Sequence, residues 1–198
     1  MQAGGHYAAI CAGGKNPDGV LVEAREVAGF ESQGMLVSEA MLGIGEEAAS
    51  PLRFAADIDA SAHPYDLLEL DDAILEFDLE PNRPDLFSLL GMARDLSAIF
   101  GVDLRMPSMV DTDWSTIPET DLRVHIHADE KVHRYAGLEI SAVEVSTSPQ
   151  WLQNAVRKLG MRPINNVVDA ANLAMLELGQ PMHTFDRKSL NAKSIGLR

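Results

Sequence analysis

The sequence predicts an α+β protein assembled from consecutive αβ units, and three observations predict it. Short extended runs separated by glycine- and asparagine-rich turns fill residues 1–60. Helical-period apolar runs closed by Gly101, Gly160 and Gly179 follow. Between the first of these and the rest lies a stretch with Pro107 and Pro118 among Ser, Thr and Asp. The chain divides accordingly into a β-rich region over 1–60, a small αβ unit over 61–106, a linker over 107–120 and a second αβ unit over 121–198.

In the first region, Gly13-Gly14 and Asn16-Pro17-Asp18-Gly19 are turn signals, and the run from Val20 to Val27 after them reads as a strand. Gly34 to Ser38 reads as a second extended run, followed by a short turn around Leu42 to Gly45. The region is too short to close a barrel by itself. Next, His63-Pro64 opens a short helix over Tyr65 to Leu68. Ala73 to Leu79 sets apolar residues against Glu76 and Asp78 and reads as a strand. Pro81-Asn82-Arg83-Pro84-Asp85 then bars any helix from running through. Leu86, Leu89, Leu90, Ala93, Leu96 and Phe100 fall at helical spacing, with Pro84 suited to the first turn, Asp85 to the positive end of the dipole and Gly101 to the stop.

In the last unit, Leu122, Val124 and Ile126 alternate with Arg123, His125 and His127 as a half-buried strand, and Tyr135 to Ile140 reads as its partner. Ser148-Pro149 supplies an N-cap and a first-turn proline for a helix closed by Gly160. A helix over Asn166 to Leu178 follows, and Ile195 onward reads as a strand.

Composition narrows the function. No apolar run approaches the ~20 residues that a membrane-spanning helix needs. A single thiol, Cys11, excludes an internal disulfide and fits a reducing cytoplasm; in its apolar setting it reads as inert core. The net charge of -14 gives no overall field that attracts phosphate backbones, so any RNA contact is local or made through partner chains. The six histidines include no metal-binding signature, and His125 and His127, on one strand face, read as solvated. Walker loops and nucleophile elbows are absent. Two segments remain. Asn82, Arg83 and Asp85 form either a rigid strand-to-helix joint, the favoured reading, or a binding loop centred on Arg83. His183, in the segment from Leu178 to Asp186, is either a satisfied turn histidine or, with Asn172 and Arg162, part of a small cavity able to hold a water, a ribose hydroxyl or a phosphate oxygen.

Several stretches together resemble the beta chain of bacterial phenylalanyl-tRNA synthetase. They are Glu31 to Ser38 with Leu42-Gly43-Ile44, Asp78 to Asp85 with Gly91-Met92-Ala93-Arg94-Asp95, and Arg134-Tyr135 with Trp151-Leu152, Val167-Val168-Asp169, Asn172 and Leu176 to His183. They occur in family order across most of the chain. The resemblance implies that 1–60 is the C-terminal part of an OB-fold tRNA-binding-type domain, a partial OB-like β-barrel region, and that 121–198 begins a B3/B4-like editing domain. It implies an α2β2 enzyme that charges tRNA(Phe) using ATP and magnesium, with the synthetic site in the alpha subunit and no cofactor held by these residues. It also implies a site that hydrolyses Tyr-tRNA(Phe), because a pocket for phenylalanine cannot strongly reject an added hydroxyl. His183, Asn172 and Arg162 match that site as positioning groups. Ala171 stands where the family usually has Thr, and Leu86-Phe87 where it has Cys-Leu. The early OB strands and much of the editing domain are missing, so the expectation is an N-terminal piece unable to edit alone. The alternatives are a stand-alone tRNA- or protein-binding module and an independent hydrolase of mischarged tRNA.

Overall fold

Pairing starts at β1 (Ala9–Cys11), which lies antiparallel to β4 (Gly34–Leu36) with Ile10 opposite Met35. These contacts come from a computed structural model that describes residues 4–59, 61–107, 112–127, 130–190 and 193–198. Beside this pair, β2 (Arg25–Val27) and β3 (Phe30–Ser32) form a hairpin. Its two loop residues, Ala28 and Gly29, have φ of 52° and 82°, the left-handed pair that matches strand twist in a two-residue turn. The strand expected over Val20 to Val27 is therefore confined to its last three residues. Its first half is held in a turn by the Asn16 side chain, which accepts the Val20 amide at 2.7 Å, while Leu21 makes only an isolated bridge to Lys15.

The buried core here is Ala8, Val37, Leu52, Phe54 and Leu68. Leu68 arrives from α1 (Pro64–Leu67), where the His63 ring accepts the Tyr65 amide as a cap and Pro64 takes the first position. Among the described residues there is no closed barrel, only three separate two-stranded sheets. Strands of three or four residues are too few and too short to wrap a sheet onto itself. Cys11, expected in the core, is exposed, because its strand has only one neighbour.

Residues 73–79 form no strand, and Ile74 and Leu75 are 70% and 71% exposed. The alternation is present; a pairing strand among the described residues is not. Beyond it, Pro84–Phe87 makes a 3-10 turn, and α2 (Leu89–Phe100) starts only after Ser88, whose hydroxyl accepts the Gly91 amide at 3.0 Å. Pro84 and Asp85 thus lie in a separate turn rather than in the first turn of α2, and Ser88 caps the helix. The turn folds back so closely that a Cβ on Gly91 would lie 1.8 Å from the Asp85 carbonyl oxygen. Gly101, at φ 62°, ends α2.

β5 (Arg123–Ile126) pairs in parallel with β6 (Ser194–Leu197), not with Tyr135 to Ile140 as expected. That segment does lie close, since a Cβ on Gly137 would meet Leu122 at 3.2 Å, but it makes no ladder. The long crossover between β5 and β6 carries α3 (Gln150–Lys158) and α4 (Asn166–Leu178).

Helix α3 joins the last unit to the first core through polar groups. Its Leu152 and Val156 are buried, and so are Gln150, Gln153 and Asn154. Gln150 accepts the Ala55 amide at 3.2 Å, and Asn154 donates to the Leu67 carbonyl at 2.8 Å. Arg157 pairs with Glu39 at 2.8 Å, both largely buried, and Lys158 reaches Glu69 and Asp72. Lys158 holds both carboxyls below their ordinary values, and they raise its own pKa, Asp72 contributing more than Glu69.

The accessible surface is 15304 Å², against ~9,000 Å² for a compact protein of this mass. The packing therefore leaves much apolar surface uncovered, Phe30, Phe100 and Trp114 among it.

Two outcomes follow. Gly91→Ala forces the turn off α2 and lowers stability by about 1–3 kcal/mol in urea unfolding, the usual cost of overpacking. The Lys158 anchor has carboxyls with depressed folded pKa values, so its contribution is fully present above their unfolded values near pH ~4 and is lost as pH falls through the lower folded values. Acid melts of the Lys158→Met variant therefore lose the part of the pH dependence that falls below about pH 4 in the parent chain.

Candidate functional site

Helix α4 carries the site. Asn165 caps it, accepting the amides of Val167 and Val168 at 3.1 and 3.0 Å. One turn in, Asp169 is fully buried. Its Oδ1 accepts the Ile164 amide at 2.8 Å and its Oδ2 the Ser148 hydroxyl at 2.5 Å. That pair ties Ile164, at the end of the turn between α3 and α4, to Ser148, two residues before α3. It also corrects the expected role of Ser148. Pro149 occupies the N-cap of α3 without a side-chain bond, because the serine hydroxyl is committed to Asp169.

Asn172, one turn beyond Asp169, is half-buried; Arg162 is exposed. At the end of α4, Gly179 adopts φ 76° and its amide reaches back to Met175. A Cβ there would lie 3.0 Å from Ser88 Cβ, so the end of α4 abuts the start of α2. The chain then runs exposed from Gly179 to Ser189. His183 lies on this run with its ring 5.7 Å from that of Phe185. The run is anchored beyond by a 3-10 turn, Arg187–Ser189, capped by Asp186. Arg187 bonds Asp121 at 2.6 Å and pairs with Glu139, and Lys193 pairs with Asp121 as well. Lys193, then Arg187, hold the Asp121 carboxyl below its ordinary value.

Among the described residues, the side chains of His183, Asn172 and Arg162 share no hydrogen bond or ion pair, so their polar atoms are available to other groups. The second segment is different. Arg83 bonds both oxygens of Asp85 and both of Asp95, at 2.8–3.0 Å, which ties the Pro-Asn-Arg turn to the middle of α2. Asp85 first, then Asp95, raise the Arg83 pKa further. The Asn82 side chain is exposed and makes no hydrogen bond among the described residues. No group of three or more His, Cys, Asp and Glu able to hold a metal occurs among the described residues, and His125 and His127 sit exposed with their rings 6.3 Å apart.

Sequence reasoning missed Ser148 and Asp169 as a pair and Asn154, Arg157 and Glu39 as the seam beneath the site. One signal was available: an acid in the apolar first turn of α4, between Val168 and Ala171.

Residues 131–198 match the B3/4 domain family. The whole chain is similar to the phenylalanine–tRNA ligase beta subunit of Carboxydothermus hydrogenoformans, 39% identical over 200 residues that cover 99% of this chain and 25% of that protein. The chain is a homologue of phenylalanine–tRNA ligase beta subunits. The beta subunit of Desulfotalea psychrophila is 37% identical over 92% of the chain and 22% of its own length, and that of Staphylococcus saprophyticus 32% identical over 100% and 26%. The chain thus spans about a quarter of the length of the ligase beta subunits it matches. No helix among the described residues is long and apolar enough to cross a membrane.

Ser148→Ala strips Asp169 of one of its two donors in a site without water access. The expected loss is about 1–3 kcal/mol in urea unfolding, as for any buried acceptor left short.

Proposed function

We propose that the chain acts as part of a phenylalanine–tRNA ligase beta subunit, supplying scaffold, subunit contacts and one wall of the pocket that hydrolyses Tyr-tRNA(Phe). The observation that carries this reading is the similarity running from end to end of the chain, not over one domain alone. The site geometry is compatible with it. Arg162 offers an exposed cation to a phosphate oxygen of the acceptor end. Asn172 offers an amide that both donates and accepts, and His183 an imidazole that can hold a water or the terminal ribose hydroxyl. None of the three is a nucleophile in this scheme; they position the ester and the attacking water. Ala171 adds no hydroxyl to them.

Its partners in this reading are the alpha subunit and tRNA(Phe), in the cytoplasm. ATP and magnesium serve aminoacylation in the alpha subunit. With -14 of net charge, contact with RNA rests on a few local cations such as Arg162, and the stand-alone RNA-binding module finds little support.

In an assembled ligase whose beta subunit contains these residues, His183→Ala lowers hydrolysis of Tyr-tRNA(Phe) by about ten- to a hundredfold and leaves phenylalanine charging unchanged. Unaltered hydrolysis would remove His183 from the pocket. The 198-residue chain alone leaves Tyr-tRNA(Phe) decaying at the rate in buffer; rapid turnover would favour an independent hydrolase instead.

A further inference from the structure

His183 sits on a span with two feet. The first is Gly179, whose amide bonds the Met175 carbonyl at the end of α4. The second is the turn over residues 186–190. There the Ser189 and Leu190 amides donate to the Asp186 and Arg187 carbonyls, and the Asp186 side chain accepts the Lys188 amide. Among the described residues, no hydrogen bond or ion pair joins residues 180–185 to any other part of the chain. The first foot belongs to a helix of 13 residues. The second is a short turn, and the Arg187 guanidinium ties it down. Arg187 bonds Asp121, two residues before β5, at 2.6 Å and pairs with Glu139, which accepts the Thr120 hydroxyl at 2.5 Å. Without Arg187 the next ties downstream are Lys193 on Asp121 and then β6. The span from Gly179 would then grow from seven positions, at Asp186, to fourteen, at Lys193. Doubling a span dilutes any one placement of its residues about threefold.

We propose that Arg187 is a positioning residue for His183: bound to Asp121 and Glu139, it holds the run so that the imidazole meets the ester end of Tyr-tRNA(Phe). This rests on the reading of His183 as part of that pocket. Arg187 does not itself meet the RNA in this scheme. Asp121 and Glu139 neutralise its charge and repel a phosphate brought to it.

The test is kcat and KM for Tyr-tRNA(Phe) hydrolysis by the assembled ligase, in variants that keep phenylalanine charging and the melting curve. Arg187→Met is expected to lower kcat about threefold with KM unchanged, and Arg187→Lys to recover most of the loss. The double variant Asp121→Asn, Glu139→Gln, which keeps the cation and removes its ties, is expected to match Arg187→Met. Neither adds a further loss to His183→Ala. Chymotrypsin cleavage after Phe185 is about threefold faster in both. An unchanged kcat in Arg187→Met overturns the proposal, as does a full further loss on top of His183→Ala. A rise in KM that the Asp121→Asn, Glu139→Gln variant does not share makes Arg187 a direct phosphate contact and overturns it too. In all three cases the His183→Ala loss stays intact, and so does the pocket reading. Hydrolysis unaltered by His183→Ala alone is the separate outcome that removes both.

Discussion

The Asp169 carboxyl, shut off from water between a serine hydroxyl and a backbone amide, sets the geometry of the second half of the chain. A buried acceptor of this kind is costly unless its partners stay in place, so it pins three things at once: Ser148 ahead of α3, the end of the α3–α4 turn and the first turn of α4. The α3 helix, so pinned, carries its own polar seam against the first core, through Gln150, Asn154 and Arg157. The scaffold beneath the candidate site is thus held by directional bonds as much as by apolar burial, which suits a surface that keeps one orientation against a large partner.

What was legible in the sequence followed from local chemistry. Helix α4 runs from Asn166 to Leu178, the bounds its pattern predicts, because cap, period and terminal glycine agree. The short helix after His63 and the strand around Val124 were readable for the same reason. What failed depended on partners distant in sequence. Val20 to Val27 had strand composition, but the Asn16 turn kept its first half out of a ladder. Tyr135 to Ile140 lost β5 to a strand more than fifty residues later. Ser148 looked like a cap and became a ligand of Asp169, a choice no local pattern announces.

The Pro-Asn-Arg segment shows how one side chain can settle a local ambiguity. Arg83 spends its donors on Asp85 and Asp95, so the turn is built into α2 rather than offered to a ligand. His183, by contrast, sits on an exposed run with its ring near that of Phe185. Of the two segments that composition singles out, one is consumed by the fold and the other stays exposed.

The meeting of Gly179 with Ser88 has a consequence of a different kind. The serine must keep its hydroxyl to cap α2, and the glycine must keep its bare Cα both for its left-handed turn and for the 3.0 Å approach. A larger residue at 88 needs room that only a shift of α4 provides, and any side chain at 179 needs α2 to retreat. Over evolutionary time the two positions, ninety-one apart in the chain, should change together or not at all, and aligned beta-subunit sequences should carry that covariation.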